Sequence, residues 1–264
     1  MRKVLKAEIQ RAVNLGWIIG IIGIIFSICF DSWNDLIQQI KNSNGYVHYF
    51  FWNSAFGGMC RTYLLPVFAT LPFAASFCKE RKNNAIAFIV SREGRKKYCL
   101  VKYLVNMLSG GFVVAIGTAI LLFMLLLMFP MTGSDYQDVT TADMFHAWAA
   151  VNSPMQYCIV EIVLGFCRGI IWSSVALLIS LYVNDSFVVT ASPYLFSYVF
   201  VQLGRLLQIN NTYRIDMILI GRTVIKSSWN TVVIGMVCSA IITIFIGIVF
   251  VKKLSGELRD GIYY

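Results

Sequence analysis

Residues 103–129 read YLVNMLSGGFVVAIGTAILLFMLLLMF, a run of 27 residues without one charged side chain. About 20 apolar residues in a helix cross the hydrocarbon core of a bilayer, so this run exceeds the length of one perpendicular crossing. The helix that it forms must therefore tilt or begin below the membrane surface. We predict a transmembrane helix over this stretch.

Comparable apolar stretches recur on both sides of it. The chain has 264 residues, of which 58% are hydrophobic and 13% are charged. A soluble domain carries about 25% charged residues, so this composition argues against a soluble protein with one large core. We expect one all-α, polytopic transmembrane domain over residues 1–264 with no nucleotide-binding domain. Its six predicted transmembrane helices cover residues 12–30, 55–77, 103–129, 156–183, 187–204 and 230–251.

The net charge of +9 lies beside the predicted spans on one side of the membrane. Stretches 1–14, 78–102, 184–186 and 252–264 hold 15 of the 22 basic and 6 of the 13 acidic residues, and the rest of the chain is neutral. Such an asymmetry marks the cytoplasmic side of a membrane protein. We therefore predict an N-in/C-in protein of the plasma membrane that binds no nucleic acid.

The first residues predict a helix on the membrane surface, followed by an uncleaved first span. Residues 1–11 read MRKVLKAEIQR, with Val4, Leu5 and Ile9 at helical spacing among four basic side chains. That pattern is typical of an amphipathic helix lying on membrane lipid, here the cytoplasmic leaflet. A signal peptide is disfavoured because Cys29-Phe30-Asp31 offers no small-residue cleavage site.

Small residues and prolines predict how the first two spans pack. Gly16, Gly20 and Gly23 fall on one face of the first span, where a second helix can approach closely. Packing within one subunit is favoured here over a dimerisation motif. Pro66 and Pro72 lie in the second span, and each should disturb its hydrogen bonding, so we predict a kinked helix.

The most basic stretch, residues 79–102, reads KERKNNAIAFIVSREGRKKYCLVK. An apolar stripe at helical spacing runs through it: Ala85, Ile86, Ile89 and Val90. Gly94 is placed to end that helix. We predict an amphipathic helix against the inner leaflet, followed by a sharp turn into the third span. A basic loop that only follows the positive-inside asymmetry is the alternative.

Two shorter features complete the predicted topology. Only Asn184-Asp185-Ser186 separates the fourth span from the fifth, which predicts a tight cytoplasmic hairpin. Residues 31–54, 130–155 and 205–229 are assigned to the outside. The last of these stretches is partly apolar but too short and too charged to span, so we expect a short or re-entrant helix there.

The chain lacks the motifs that carry chemistry in enzymes. It has no G-x-x-x-x-G-K-[ST], no H-E-x-x-H and no G-x-S-x-G. The seven cysteines form no C-x-x-C pair, and His48 and His146 stand apart from each other. We therefore expect no metal site, no bound cofactor and no catalytic residue.

From Arg61 to about Gly117, the chain resembles the permease subunits of ABC-2 type transporters. The resembling elements are the proline-bearing second span, Glu80-Arg81, Ser91-Arg92-x-Gly94-Arg95-x-x-Tyr98 with Lys102, and the small-residue patch Ser109-Gly110-Gly111. The resemblance implies that the permease supplies the substrate path, while a separate cytoplasmic ATPase binds and hydrolyses ATP. It also implies a second permease chain, identical or related, across the path.

The same resemblance assigns the contact with the ATPase. Residues 79–98 would form the coupling helix, and the turn 184–186 would form a second contact. The ATPase-coupling residues implied are Glu80, Arg81, Arg92, Gly94, Arg95, Tyr98, Lys102, Asn184 and Asp185. We expect an exporter, although the substrate stays open. The alternatives are a self-sufficient secondary carrier, which should show matched interrupted spans, and a membrane scaffold.

Three charged residues fall inside predicted spans: Arg61, Glu161 and Arg168. An ionised group near the bilayer centre costs about 2.5–3.5 kcal/mol on insertion scales, so none of them should face lipid. Glu161 and Arg168 lie seven residues apart and project from one face of the fourth span. We predict that Glu161 pairs with Arg61 or with Arg168, and that the pair fixes helix packing more readily than it binds substrate.

Overall fold

The computed structural model describes residues 2–42, 46–47, 50, 59–83, 85–131, 153–210, 213–221 and 228–260. Within these residues the regular structure is helical and contains no strand. The helices are α1 (Arg2–Ala12), α2 (Leu15–Asp31), α3 (Trp33–Asn42), α4 (Met59–Thr70), α5 (Ala74–Lys82), α6 (Ala85–Glu93), α7 (Arg95–Met128), α8 (Pro154–Ile179), α9 (Ser186–Leu206), α10 (Ile215–Ile220) and α11 (Ser228–Arg259).

Four helices of the described chain are long and apolar enough to cross a membrane: α7, α8, α9 and α11. They correspond to the third, fourth, fifth and sixth predicted spans, and α2 is a shorter apolar helix of 17 residues at the first. The prediction of a helical, multi-pass membrane protein is therefore confirmed. The apolar third span is the greater part of α7, which begins at Arg95 and so extends beyond the uncharged run at its N-terminal end.

The glycine face of α2 packs against α4 and the turn that follows it, within the same chain. A Cβ atom on Gly16 would lie 2.7 Å from the carbonyl oxygen of Leu71, and one on Gly23 would overlap the ring of Phe68. Only glycine allows the two backbones to approach so closely. The prediction of packing within one subunit is confirmed for this face.

The centre of the bundle is the crossing of α7 and α8. A Cβ atom on Gly169 would lie 2.5 Å from the carbonyl oxygen of Gly110 and 2.9 Å from the Cα atom of Gly111. The small-residue patch of the third span is therefore the point at which these two helices touch. The indole of Trp17 donates a hydrogen bond to Ser109 Oγ at 3.1 Å and joins α2 to the same crossing.

The second predicted span is interrupted at one of its two prolines. Helix α4 ends at Thr70 and α5 begins at Ala74, with Pro72 in the turn between them, whereas Pro66 lies inside α4. The carbonyl oxygen of Pro72 accepts a hydrogen bond from Asn14 Nδ2 at 2.8 Å. A neighbouring side chain thus satisfies a backbone group at the break, as membrane interiors require.

The two shorter features also have the predicted form. Residues 180–185 connect α8 to α9, which makes the tight hairpin. The stretch 205–229 contains the short helix α10, which ends at Gly221 in the left-handed conformation, with φ of 78°. Helix α10 packs against α8, α9 and α11 and covers one end of the gap between them.

Candidate functional site

The four stretches predicted to be cytoplasmic meet at one end of the bundle. Lys102 Nζ lies 3.1 Å from the Glu8 carboxylate and so joins α7 to α1. Arg81 Nη1 donates hydrogen bonds to the backbone carbonyls of Ser180 and Leu181, at 3.3 and 2.8 Å, and joins α5 to the turn after α8. At the far end of the chain, Lys253 Nζ lies 3.1 Å from the ring centre of Tyr182. The basic stretches therefore form one continuous region.

An ionic cluster holds this end together, and we call it the inner ionic cluster: Glu8, Arg11, Glu80, Tyr98 and Lys102, which are all buried except the half-exposed Arg11. Lys102 Nζ contacts the Glu80 carboxylate at 2.6 Å, and the Tyr98 hydroxyl donates to the other Glu80 oxygen at 2.6 Å. Arg11 Nη1 lies 3.1 Å from both carboxylates and closes the ring of contacts. Two cations and two anions balance, so the cluster can be buried without a net charge.

This cluster corrects the prediction that Glu80 and Tyr98, with Lys102 among the coupling residues, face an ATPase. The side chains of Tyr98 and Lys102 are fully buried, and Glu80 is 8% exposed. The polar atoms of all three side chains contact other residues of the same chain, because a buried charge is stable only beside groups that compensate it. The residue that sequence reasoning missed is Glu8, a single acid among the basic residues of α1.

Among the described side chains of α1, two large apolar ones point outward and one acid points inward. Leu5 and Ile9 are exposed, whereas Glu8 and Ala12 are buried against the rest of the chain. The exposed apolar side chains are available to lipid, as an amphipathic surface helix requires. The only signal for the buried role of Glu8 was its position three residues after Leu5 and four before Ala12, which places this acid among apolar positions of the helix.

Helix α6 packs differently from the prediction. The stripe that was expected to lie against lipid, represented by Ile86 and Val90, is buried in a cluster with Phe77, Cys99 and Leu258. A stripe at helical spacing shows that one face is buried but not what covers it. Here the short helix packs against one end of α5, α7 and α11 instead of resting on the membrane.

The outer side of α6 and the start of α7 form an exposed surface, which we call the basic corner: Phe88, Arg92, Gly94, Arg95, Lys96 and Lys97. The Phe88 side chain is 79% exposed. Gly94 has φ of 87°, which a side chain would strain, and its N–H donates to the Val90 carbonyl at 2.9 Å. The prediction that Gly94 ends one helix and turns sharply into the next is confirmed.

The turn between α8 and α9 lies beside α5. Asn184 and Asp185 are exposed, and Asp185 Oδ1 accepts hydrogen bonds from the N–H groups of Phe187 and Val188, so it caps α9. Cys78 Sγ lies 3.7 Å from the Val183 carbonyl oxygen. Burial raises the pKa of the Cys78 thiol, which keeps it protonated and able to donate that contact.

The charges in the fourth span are buried and close to each other. Glu161 is 3% and Arg168 is 8% exposed, which confirms that neither faces outward. Arg168 Nη2 lies 3.6 Å from Glu161 Oε2, so one of the two predicted pairs is present. The side chain of Arg61 lies outside the described residues, and the pair with Glu161 that involves it stays a prediction. Among the described residues, no group of three or more acidic, histidine or cysteine side chains could hold a metal ion.

The chain has no match among protein-family models, curated proteins or solved structures.

Proposed function

We propose that this protein is the permease subunit of an ABC exporter, with six spans and both termini on the cytoplasmic side of the plasma membrane. A separate cytoplasmic ATPase would bind and hydrolyse ATP, and a second permease chain would complete the substrate path. The observation that carries the proposal is the basic corner, because it offers an exposed aromatic and basic surface at the end where the four stretches predicted to be cytoplasmic meet.

The position of the basic corner suits it to transmit a movement of the bound ATPase to the membrane-spanning helices. Helix α7 continues without a break from Arg95 to Met128, so a movement of its first turn acts on the whole helix. Immediately behind that turn, Lys102 joins α7 to α1 and α5 through the inner ionic cluster. A contiguous, rigid connection of this kind is what mechanical coupling to a soluble partner requires.

The coupling surface is revised accordingly. Arg92, Gly94 and Arg95 stay in it because they are exposed, and so do Asn184 and Asp185, which are exposed in the turn between α8 and α9. Arg81 supports the surface by holding that turn through its backbone carbonyls. Glu80, Tyr98 and Lys102 act behind the surface, not on it.

Charge reversal at the corner tests the proposal. The double variant R92E/R95E should abolish the binding of a co-purifying ATPase and its stimulation by the permease, because two exposed cations are replaced by anions. Protein insertion and chromatographic behaviour should not change, since both side chains are exposed. K252E is the control, because Lys252 is an exposed cation near the same end of the bundle and lies outside the corner. Unchanged ATPase binding by R92E/R95E would contradict the proposal.

Cysteine labelling tests the proposed topology separately. The hydrogen bond from the Val47 N–H to the Pro130 carbonyl, at 3.1 Å, joins two stretches assigned to the outside and supports the assignment. In a cysteine-free background, an impermeant reagent added to whole cells should label S43C and S134C but neither S91C nor S255C. The reverse pattern would overturn the orientation and leave the corner facing away from any cytoplasmic ATPase.

A further inference from the structure

An apolar cavity of about 180 Å³ lies between five helices, away from the basic corner. Helices α4, α8, α9, α10 and α11 all contribute to its wall. Along α8, Arg168, Trp172 and Val175 line it on successive turns. Seven residues of helix rise by about 10 Å, so the cavity is elongated along α8.

The two ends of the cavity differ in polarity. Helix α10 sits over Leu164, because a Cβ atom on Gly221 would lie 2.7 Å from Leu164 Cδ1. Arg168 is one turn from Leu164 and therefore marks the end near α10, to which α10 adds Asp216. Val175 lies two turns further along α8, where the wall is formed by apolar residues such as Ile246.

The charged groups of the cavity are already balanced. Asp216 receives two hydrogen bonds from Arg214, one from Nε at 3.1 Å and one from Nη2 at 2.6 Å. Arg168 has Glu161 at 3.6 Å. A ligand with a net charge would add an uncompensated ion to a membrane-embedded site, which is unfavourable.

The guanidinium of Arg168 determines which polar group of a ligand can bind beside it. It carries five N–H donors and no acceptor, and it can serve Glu161 and a second acceptor together. A carbonyl oxygen is such an acceptor and brings no charge. Apolar walls with a small number of fixed polar groups are typical of ligand sites.

We propose that this cavity binds an uncharged amphiphile, with a carbonyl-bearing amide or ester at Arg168 and an apolar chain that runs along α8 towards Val175 and Ile246. The proposal does not rest on the proposed function, because binding at this site requires neither an ATPase nor a second permease chain.

Tryptophan quenching measures the binding directly. Trp172 lines the cavity and is one of six tryptophans, so the difference between the native protein and W172F isolates its fluorescence. The probe is a mid-chain brominated fatty amide, and the comparison ligand is the equally brominated fatty acid at a pH where it is ionised. The amide should quench Trp172 to saturation, and the anion should require about tenfold or more of the amide concentration.

Filling the cavity should remove the saturable quenching. V175F places a ring between α8 and α11 and should abolish it, whereas V237F adds the same ring at a position on α11 that is 50% exposed and should leave it intact. V175A enlarges the cavity and should retain the saturable quenching. This variant provides the test if V175F fails to fold. Quenching that never saturates, that is equal for amide and anion, or that survives in a folded V175F would overturn the proposal.

Discussion

Among the described residues, the inner ionic cluster, apart from Arg11, and the charges of the fourth span are both buried, and they differ in how closely their members meet. In the inner ionic cluster, Lys102 lies 2.6 and 3.1 Å from two carboxylates, and its side chain is fully buried. In the fourth span, Glu161 and Arg168 lie 3.6 Å apart, beyond hydrogen-bonding distance, at the edge of a cavity. The first group is a structural junction between three helices, whereas Arg168 of the second lines a cavity.

The difference follows from where the partners sit in the chain. The cluster draws its charges from three helices, α1, α5 and α7, which can move relative to one another until the contacts are short. Glu161 and Arg168 belong to one helix, and their Cα atoms are separated by seven residues, or about 10 Å of rise. Both side chains must reach along the helix, so their contact stays long.

Removing Lys102 should give the largest effect, because it breaks the more closely paired group. K102M leaves the buried carboxylates of Glu8 and Glu80 close together with only the half-exposed Arg11 opposite them. Breaking a buried ion pair in this way costs about 3–5 kcal/mol. We expect a large fall in the midpoint of thermal unfolding in detergent.

Two variants show whether the loss comes from the cluster. K97M removes an exposed cation from the same helix and should change the midpoint little. The triple variant E8Q/E80Q/K102M carries no uncompensated carboxylate at this junction and should recover part of the loss. A K102M midpoint equal to that of K97M would mean that the junction is not structural.

The same contrast separates what the sequence could predict from what it could not. Apolar run lengths predicted the long helices, and the spacing of Gly16 and Gly23 predicted a packed face, because both are local properties of one helix. The contact between Lys102 and Glu8 joins residues 94 positions apart, and nothing local in either segment records it. The prediction that the apolar stripe of α6 lies against lipid was wrong for a related reason, since the spacing of the stripe is the same whether lipid or protein covers it.

Breaking the looser pair should have a smaller effect, and a double-mutant cycle measures it. E161Q removes the anion near Arg168 and should cost about 2 kcal/mol, since residues in contact or in one ion-pair network are coupled by about 0.5–3 kcal/mol. E161Q/R168M should cost less than the sum of its single variants if the two charges interact. Strictly additive unfolding midpoints would show that they do not, and the same cycle with R61M tests the other predicted pair.

Arg11 should matter least, although it touches the same two carboxylates as Lys102. Its side chain is 49% exposed, so water and salt screen its contacts, and exposed pairs contribute about 0–1 kcal/mol. R11M should therefore lower the unfolding midpoint slightly, and the difference from the native protein should shrink further as salt is raised. The loss in K102M should depend much less on salt, because Lys102 is fully buried. An R11M loss as large as that of K102M, or equally insensitive to salt, would show that burial does not set the strength of this junction, and that both cations contribute to it as one unit.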